Sequence, residues 1–226
     1  GEETLSEVER YDPATGHWMS TAAMRTPRFF HTTTVLPNGK VLVVGGLDRN
    51  SAVIDACELY DPVTETWSPT GSLNEGRFRH SSTLLANGQV LVAGGFDGAV
   101  LSSAELYDSV TGTWSPVDTM NVARASHTAT LLPNGQVLIA GGLDGVALST
   151  NSAELFDSGS TNWTLVGAMN YGRSLHTATL LPDGNVLVTG GISDGLLSPQ
   201  SALSSAEVYN WQARTWTKTN ELNTTR

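Results

Sequence analysis

The chain has 226 residues, 39% of them hydrophobic and 15% charged, with 23 glycines. That balance excludes a disordered polymer and fits a turn-rich protein with a packed core. The net charge of -10, from 12 basic and 22 acidic residues, argues against nucleic acid and anionic membranes as partners, since both require a basic face. No apolar run approaches the length of a membrane helix. A single cysteine, Cys57, allows no internal disulfide. Gly1 stands where a nascent chain carries Met, which reads as the edge of a processed or longer chain from which targeting has been removed. Asn162-Trp163-Thr164 and Asn223-Thr224-Thr225 are formal glycosylation sequons, short enough to arise by chance.

In chain order, Leu5–Trp18 (LSEVERYDPATGHW) reads as a strand ending in an aromatic residue, a turn, and a strand carrying Trp. A different hairpin follows from Arg28: RFFHTTTVLPNGKVLVVGG. Its first run is Thr-rich, Pro37-Asn38-Gly39 marks a turn, and the second run is continuously apolar, as expected of a strand covered on both faces. In this reading both Asn and Gly supply the positive φ of a two-residue turn. The two hairpins then alternate along the chain. The second type recurs from Arg77, Arg124 and Arg173, and the first type recurs at 56–67, 103–114, 152–163 and 205–216. His31, His80, His127 and His176 are spaced 49, 47 and 49 residues apart, and the glycine pairs beginning at 45, 94, 141 and 190 keep the same steps. A period near fifty points to a propeller or solenoid, and a unit of four strands is a propeller blade. The longest and most variable connection is 192–204.

The WD-type propeller is disfavoured, because the repeated Trp residues are followed by Met19, Ser68, Ser115, Thr164 and Thr217. Arg, then His, then a hairpin closing on Gly-Gly, then Glu-x-Tyr-Asp, a turn and Trp resembles the kelch repeat. The version here, with HTATLLPNGQVLIAGG and SAELYD, is similar to bacterial kelch proteins and to the central domain of galactose oxidase. The resemblance implies an all-β kelch-type β-propeller whose first strand in each blade lines a central channel. The expected division is a half blade at 1–24, blades at 25–73, 74–120 and 121–169, and 170–226 as a blade with the start of the next. That gives four complete four-stranded blades and a half. The expectation is a fragment of a longer ring, a chain completed by another copy or partner, or a small ring short of one hairpin.

The four repeated histidines could ring the channel and hold a metal. A residue that recurs in every unit normally serves the unit, so a hydrogen bond within each blade is the preferred reading. The resemblance to galactose oxidase implies copper held by His and Tyr, with a ligand Tyr directly before one such His. Here those positions are Phe30, Arg79, Ser126 and Leu175, and no copper-radical site carries over. Arg28, Arg77, Arg124 and Arg173 have two readings. They form a basic collar that binds a carboxylate at one channel mouth, or they pair within each blade with Glu58, Glu105, Glu154 and Glu207. Asp48, Asp97, Asp144 and Asp194 follow the glycine pairs and read as turn residues rather than calcium ligands. Arg49, Asn50, Phe78, Arg79, Tyr171 and the loop 192–204 differ between repeats, and are expected to shape any specific surface. No Ser-His-Asp constellation and no phosphate-binding glycine loop stands out.

The expected function is a non-catalytic scaffold that binds a protein or a small acidic or glycan ligand, with no cofactor and no bound metal, and able to self-associate as a homo-oligomer. Two alternatives stand beside it. One is the propeller portion of a secreted carbohydrate-active or oxidase-like enzyme whose catalytic parts lie elsewhere. The other is a self-assembling structural repeat. The expected location is secreted or extracytoplasmic, in a bacterium.

Overall fold

The computed structural model describes residues 6–146, 148–193 and 202–226. Every regular element among them is a β-strand, and no helix long and apolar enough to cross a membrane is present among them. The chain opens with a two-stranded hairpin, β1 (Val8–Asp12) and β2 (His17–Thr21). Four antiparallel four-stranded sheets follow. The first is β3 (Thr32–Val35), β4 (Val41–Val44), β5 (Cys57–Asp61) and β6 (Thr66–Pro69). The second is β7 (Ser81–Leu84), β8 (Val90–Ala93), β9 (Ala104–Asp108) and β10 (Thr113–Val117). The third is β11 (Thr128–Leu131), β12 (Val137–Ala140), β13 (Ala153–Phe156) and β14 (Trp163–Val166). The last is β15 (Thr177–Leu180), β16 (Val186–Thr189), β17 (Ala206–Asn210) and β18 (Thr215–Lys218). The strands of each sheet are hydrogen-bonded in sequence order, as a blade requires, and β3, β7, β11 and β15 lie side by side as the inner strands.

The inner turn works differently from the expected two-residue form. In the third sheet, Leu132 N–H donates to Gln136 O at 2.8 Å and Gly135 N–H to Leu132 O at 2.9 Å, leaving a three-residue loop. Only Gly135 takes a positive φ, of 83°. Asn134 instead accepts the Gln136 N–H on its side-chain oxygen at 3.1 Å. The loop is a turn closed by a left-handed glycine, and Asn serves it as a side-chain acceptor.

The core lies between blades. Leu36, Leu42 and Val44 of the first sheet, with Cys57 and Leu73, pack onto Val90, Val92 and Tyr107 of the second. The same positions repeat at the next two junctions, where Leu91 and Ala93 meet Val137, Ile139 and Phe156, and Leu138 and Ala140 meet Val186, Val188 and Tyr209. Each buried Leu or Val contributes about 1.5–3 kcal/mol, so a sheet with both faces covered is held from two sides. A Tyr–Trp or Phe–Trp pair with ring centroids 4.9–5.0 Å apart closes the outer end of each of the four sheets. The indole N–H of Trp67, Trp114 and Trp163 donates to the carbonyls of Ala22, Gly71 and Asp118 in the preceding linker, at 2.7–2.9 Å. Tyr11 and Trp18 form the same pair in the opening hairpin, but are 48% and 65% exposed, because no described blade covers their outer face.

Candidate functional site

The arginine series is internal. Arg28, Arg77, Arg124 and Arg173 have side chains 0% exposed, and their Nη2 atoms pair with Glu58, Glu105, Glu154 and Glu207 at 2.8–3.3 Å. Nη1 of each donates to two backbone carbonyls of its own blade, as Arg124 does to Gly141 O at 2.7 Å and Ser152 O at 3.2 Å. The expectation of a basic collar open to a carboxylate gives way here, since these four guanidiniums are buried and already paired with glutamates of their own blades. The glutamates do more than neutralise them. Glu154 also accepts the backbone N–H of Asn121 and Val122, from the linker before its blade, at 2.8 and 2.9 Å.

The histidines correct another expectation, because their hydrogen bonds run between blades. Nε2 of His80, His127 and His176 lies 2.8–2.9 Å from the hydroxyl of Thr32, Ser81 and Thr128, each on the preceding inner strand. Burial, followed by the neighbouring arginine, lowers the pKa of His80 and His176 to about 3 and that of His127 well below the usual value near 6.5. These rings are neutral in the folded state. The unfolded chain takes up protons as pH falls through 6.5 and the folded chain does not, so stability declines on that descent until about pH 3. The midpoint of urea unfolding is expected to fall steadily between about pH 6.5 and 5, above the range in which carboxylates of lowered folded pKa, such as Asp61 and Asp157, begin to lose their own contribution. A flat profile over that window would contradict the assignment.

Other expected residues also take structural places. Asp48, Asp97 and Asp144 accept backbone N–H groups two residues ahead at 2.8–3.1 Å, as turn residues do, while Asp194 lies outside the described residues. No group of three or more His, Cys, Asp or Glu able to hold a metal occurs among the described residues. The buried Cys57 thiol is pushed up to about 12 by its burial, which keeps it protonated. Tyr171 stacks under the Lys218 ammonium at 4.4 Å, and Arg49 and Asn50 sit on a loop.

The remaining variable residues converge at the start of the inner strands. Phe30, Arg79, Ser126 and Leu175 all have φ of 54–55°, a left-handed backbone rare for bulky side chains. Their main chains are laced together. Arg79 N–H donates to Phe30 O at 3.3 Å, Ser126 N–H to Arg79 O at 2.9 Å, and Leu175 N–H to Ser126 O at 3.1 Å. Because the geometry repeats, the blades impose it, and the identity of each side chain is left free. Phe30 and Leu175 are 48% and 51% exposed. The Arg79 guanidinium lies 4.8 Å from the Phe30 ring centroid, and Phe30, Phe78 and Phe96 form a chain of rings 6.2 and 5.4 Å apart. Arg79 has no carboxylate partner among the described residues. Ser126 Oγ is shielded from solvent and has no hydrogen-bond partner among the described residues. Phe78 and Arg79 were legible as variable residues. Phe30, Ser126 and Leu175 were missed as a surface, although their signal is a position that changes in every copy of an otherwise repeated Arg-x-x-His.

The comparisons agree with this architecture. Residues 25–121 match the family model of the β-propeller of tRNA wybutosine-synthesizing protein 4. No curated protein sequence matches the chain. Among solved structures, the chain is similar to YjhT, at 16% identity and a TM-score of 0.78, over 100% of this chain and 86% of that one. It is also similar to a fungal alcohol oxidase of the AA5 family in complex with copper, at 18% identity and a TM-score of 0.63. That match takes in 99% of this chain but spans only 60% of the oxidase. The fold is a kelch-like β-propeller, similar to that of galactose oxidase.

Proposed function

We propose that the chain is a non-catalytic binding scaffold, and that its ligand is an acidic molecule with a flat apolar or sugar body seated where the inner strands begin. One observation carries this reading: the Arg79 guanidinium lies over the Phe30 ring without a carboxylate of its own. Arg presents forked donors that suit a carboxylate, and the rings of Phe30, Phe78 and Phe96 offer a platform for the body attached to it. Elsewhere the net charge of -10 repels an anion, so the favourable ground is local. The test is a glycan and acidic-peptide array followed by titration of any hit. Arg79→Ala is expected to weaken binding at least tenfold, and added salt to weaken it further. A hit indifferent to Arg79 and Phe30, or an array with no acidic hit, would sink the reading.

The oxidase-like alternative draws on the resemblance to galactose oxidase and on the copper-bound AA5 neighbour. The residues here do not fit copper. At the positions preceding the histidines stand Phe30, Arg79, Ser126 and Leu175, and His80, His127 and His176 spend Nε2 on the preceding blade. Catalysis would then reside in parts outside this chain, which is the form in which that alternative stands.

A further inference from the structure

Each complete sheet ends on an outer strand, β6, β10, β14 or β18, that is hydrogen-bonded on one side only. Such an edge presents N–H and C=O groups to any strand that comes alongside, and proline or lysine on the edge discourages that pairing. The ladder tells which residues face outward. Thr70 N–H donates to Cys57 O and Thr219 N–H to Ala206 O, so the main chain at these positions faces the neighbouring strand. By strand alternation, the main chain of the residue just before each of them faces away from the sheet.

That outward position is Pro69 in β6, Pro116 in β10 and Lys218 in β18, opposite Glu58, Glu105 and Glu207. The two prolines withhold the N–H that an added strand would use, and the lysine sets a charge there. β14 has neither device. Its residue opposite Glu154 is Leu165, which keeps its N–H and is 53% exposed. Charge singles out the same strand. Residues 158–172 contain no charged side chain, whereas Glu65 adjoins β6, Asp118 adjoins β10 and β18 contains Lys218. On a chain of net charge -10, this edge is where a second copy approaches with little repulsion. The third sheet has a described sheet on either side in chain order, so the openness of its outer edge owes nothing to the first or last residues.

We propose that two copies of the chain join edge to edge through β14, antiparallel, so that two four-stranded sheets become one of eight strands. The two-fold axis passes beside Thr164. Trp163 and Leu165, whose main chains face outward, exchange hydrogen bonds with the partner's Leu165 and the partner's Trp163, and each exposed leucine lies beside an indole. The two threonines meet as a pair without mutual hydrogen bonds, the closer of the two cross-strand spacings. Because both copies use the same strand, the contact closes at two, and the prolines and the lysine keep the other complete sheets from extending it into a fibre. Four residues a side make a small contact, so the association is weak and depends on concentration.

The test is sedimentation equilibrium of the whole chain over a range of concentrations. The average mass is expected to rise from one copy toward two and to stop there. Leu165→Lys, which installs the residue that β18 carries, is expected to weaken the association at least tenfold while leaving the urea unfolding midpoint of the dilute chain in place. Thr164→Cys is expected to give a disulfide-linked dimer with oxidised glutathione, since the native Cys57 is buried, and adding Leu165→Lys is expected to suppress that link. A chain that remains a single copy at every concentration overturns the proposal. So does growth past two copies, or a dimer that ignores Leu165→Lys and is not captured by the introduced thiol.

Discussion

Glu154→Gln is expected to lower the stability of the chain by about 3–5 kcal/mol, read as a shift of the urea unfolding midpoint. The carboxylate is completely buried and takes four hydrogen bonds, from Arg124 Nη2, the backbone of Asn121 and Val122, and the Asn121 side chain. The amide removes the charge that balances Arg124 and turns one acceptor into a donor facing donors. An unpaired buried guanidinium then remains, and that residue of charge, more than the lost bonds, sets the size of the effect. The control is Glu65→Gln, which breaks an ion pair with Arg10 whose two side chains are each 47% exposed, and which is expected to cost less than about 1 kcal/mol. Equal losses in the two variants would mean that the internal pairs do not hold the blades.

Gly141→Ala is expected to be as damaging, at about 4 kcal/mol or more, with the same measurement. Gly141 has a φ of +64°, and a Cβ there would run into the Arg173 carbonyl oxygen and come within 2.8 Å of His176 Cε1. The oxygen belongs to the backbone of the next blade, whose Arg173 carbonyl accepts the Gly142 N–H at 2.8 Å, so it cannot withdraw without opening the junction. Gly135→Ala separates the two causes. Its φ of +83° carries the same backbone penalty, but no atom lies within 4 Å of its Cβ, and the expected loss is about 1–2 kcal/mol. Similar effects at both sites would place the cost in the dihedral alone and remove the close approach between blades as a reason for the repeated glycine pair.

Much of this was written in the pattern of the chain. Alternating hairpins of two types at a fixed period specify four-stranded sheets, because each type carries its own turn chemistry and the apolar run of β12 needs cover on both faces. The Arg–Glu partnership was one of two readings of two matched series, and burial decides between them. The histidines were misassigned within blades. Sequence spacing says that His80 recurs with its blade, but it cannot say that its ring turns toward Thr32 on the neighbouring strand. The variable surface was only half visible for a related reason. Nothing in Phe or Leu announces a left-handed backbone, and Phe30 and Leu175 adopt one because the main chains of adjacent blades are tied to each other there.

The polar links between sheets join neighbours in chain order, with His80 returning to Thr32 and Trp114 to Gly71 while Gly142 N–H reaches forward to Arg173 O, so each sheet after the first is fastened to the one made just before it. During synthesis on the ribosome, a newly extruded sheet finds its preceding docking partner already made. Assembly can therefore keep pace with translation, one sheet at a time, with a single fresh apolar face uncovered at any moment.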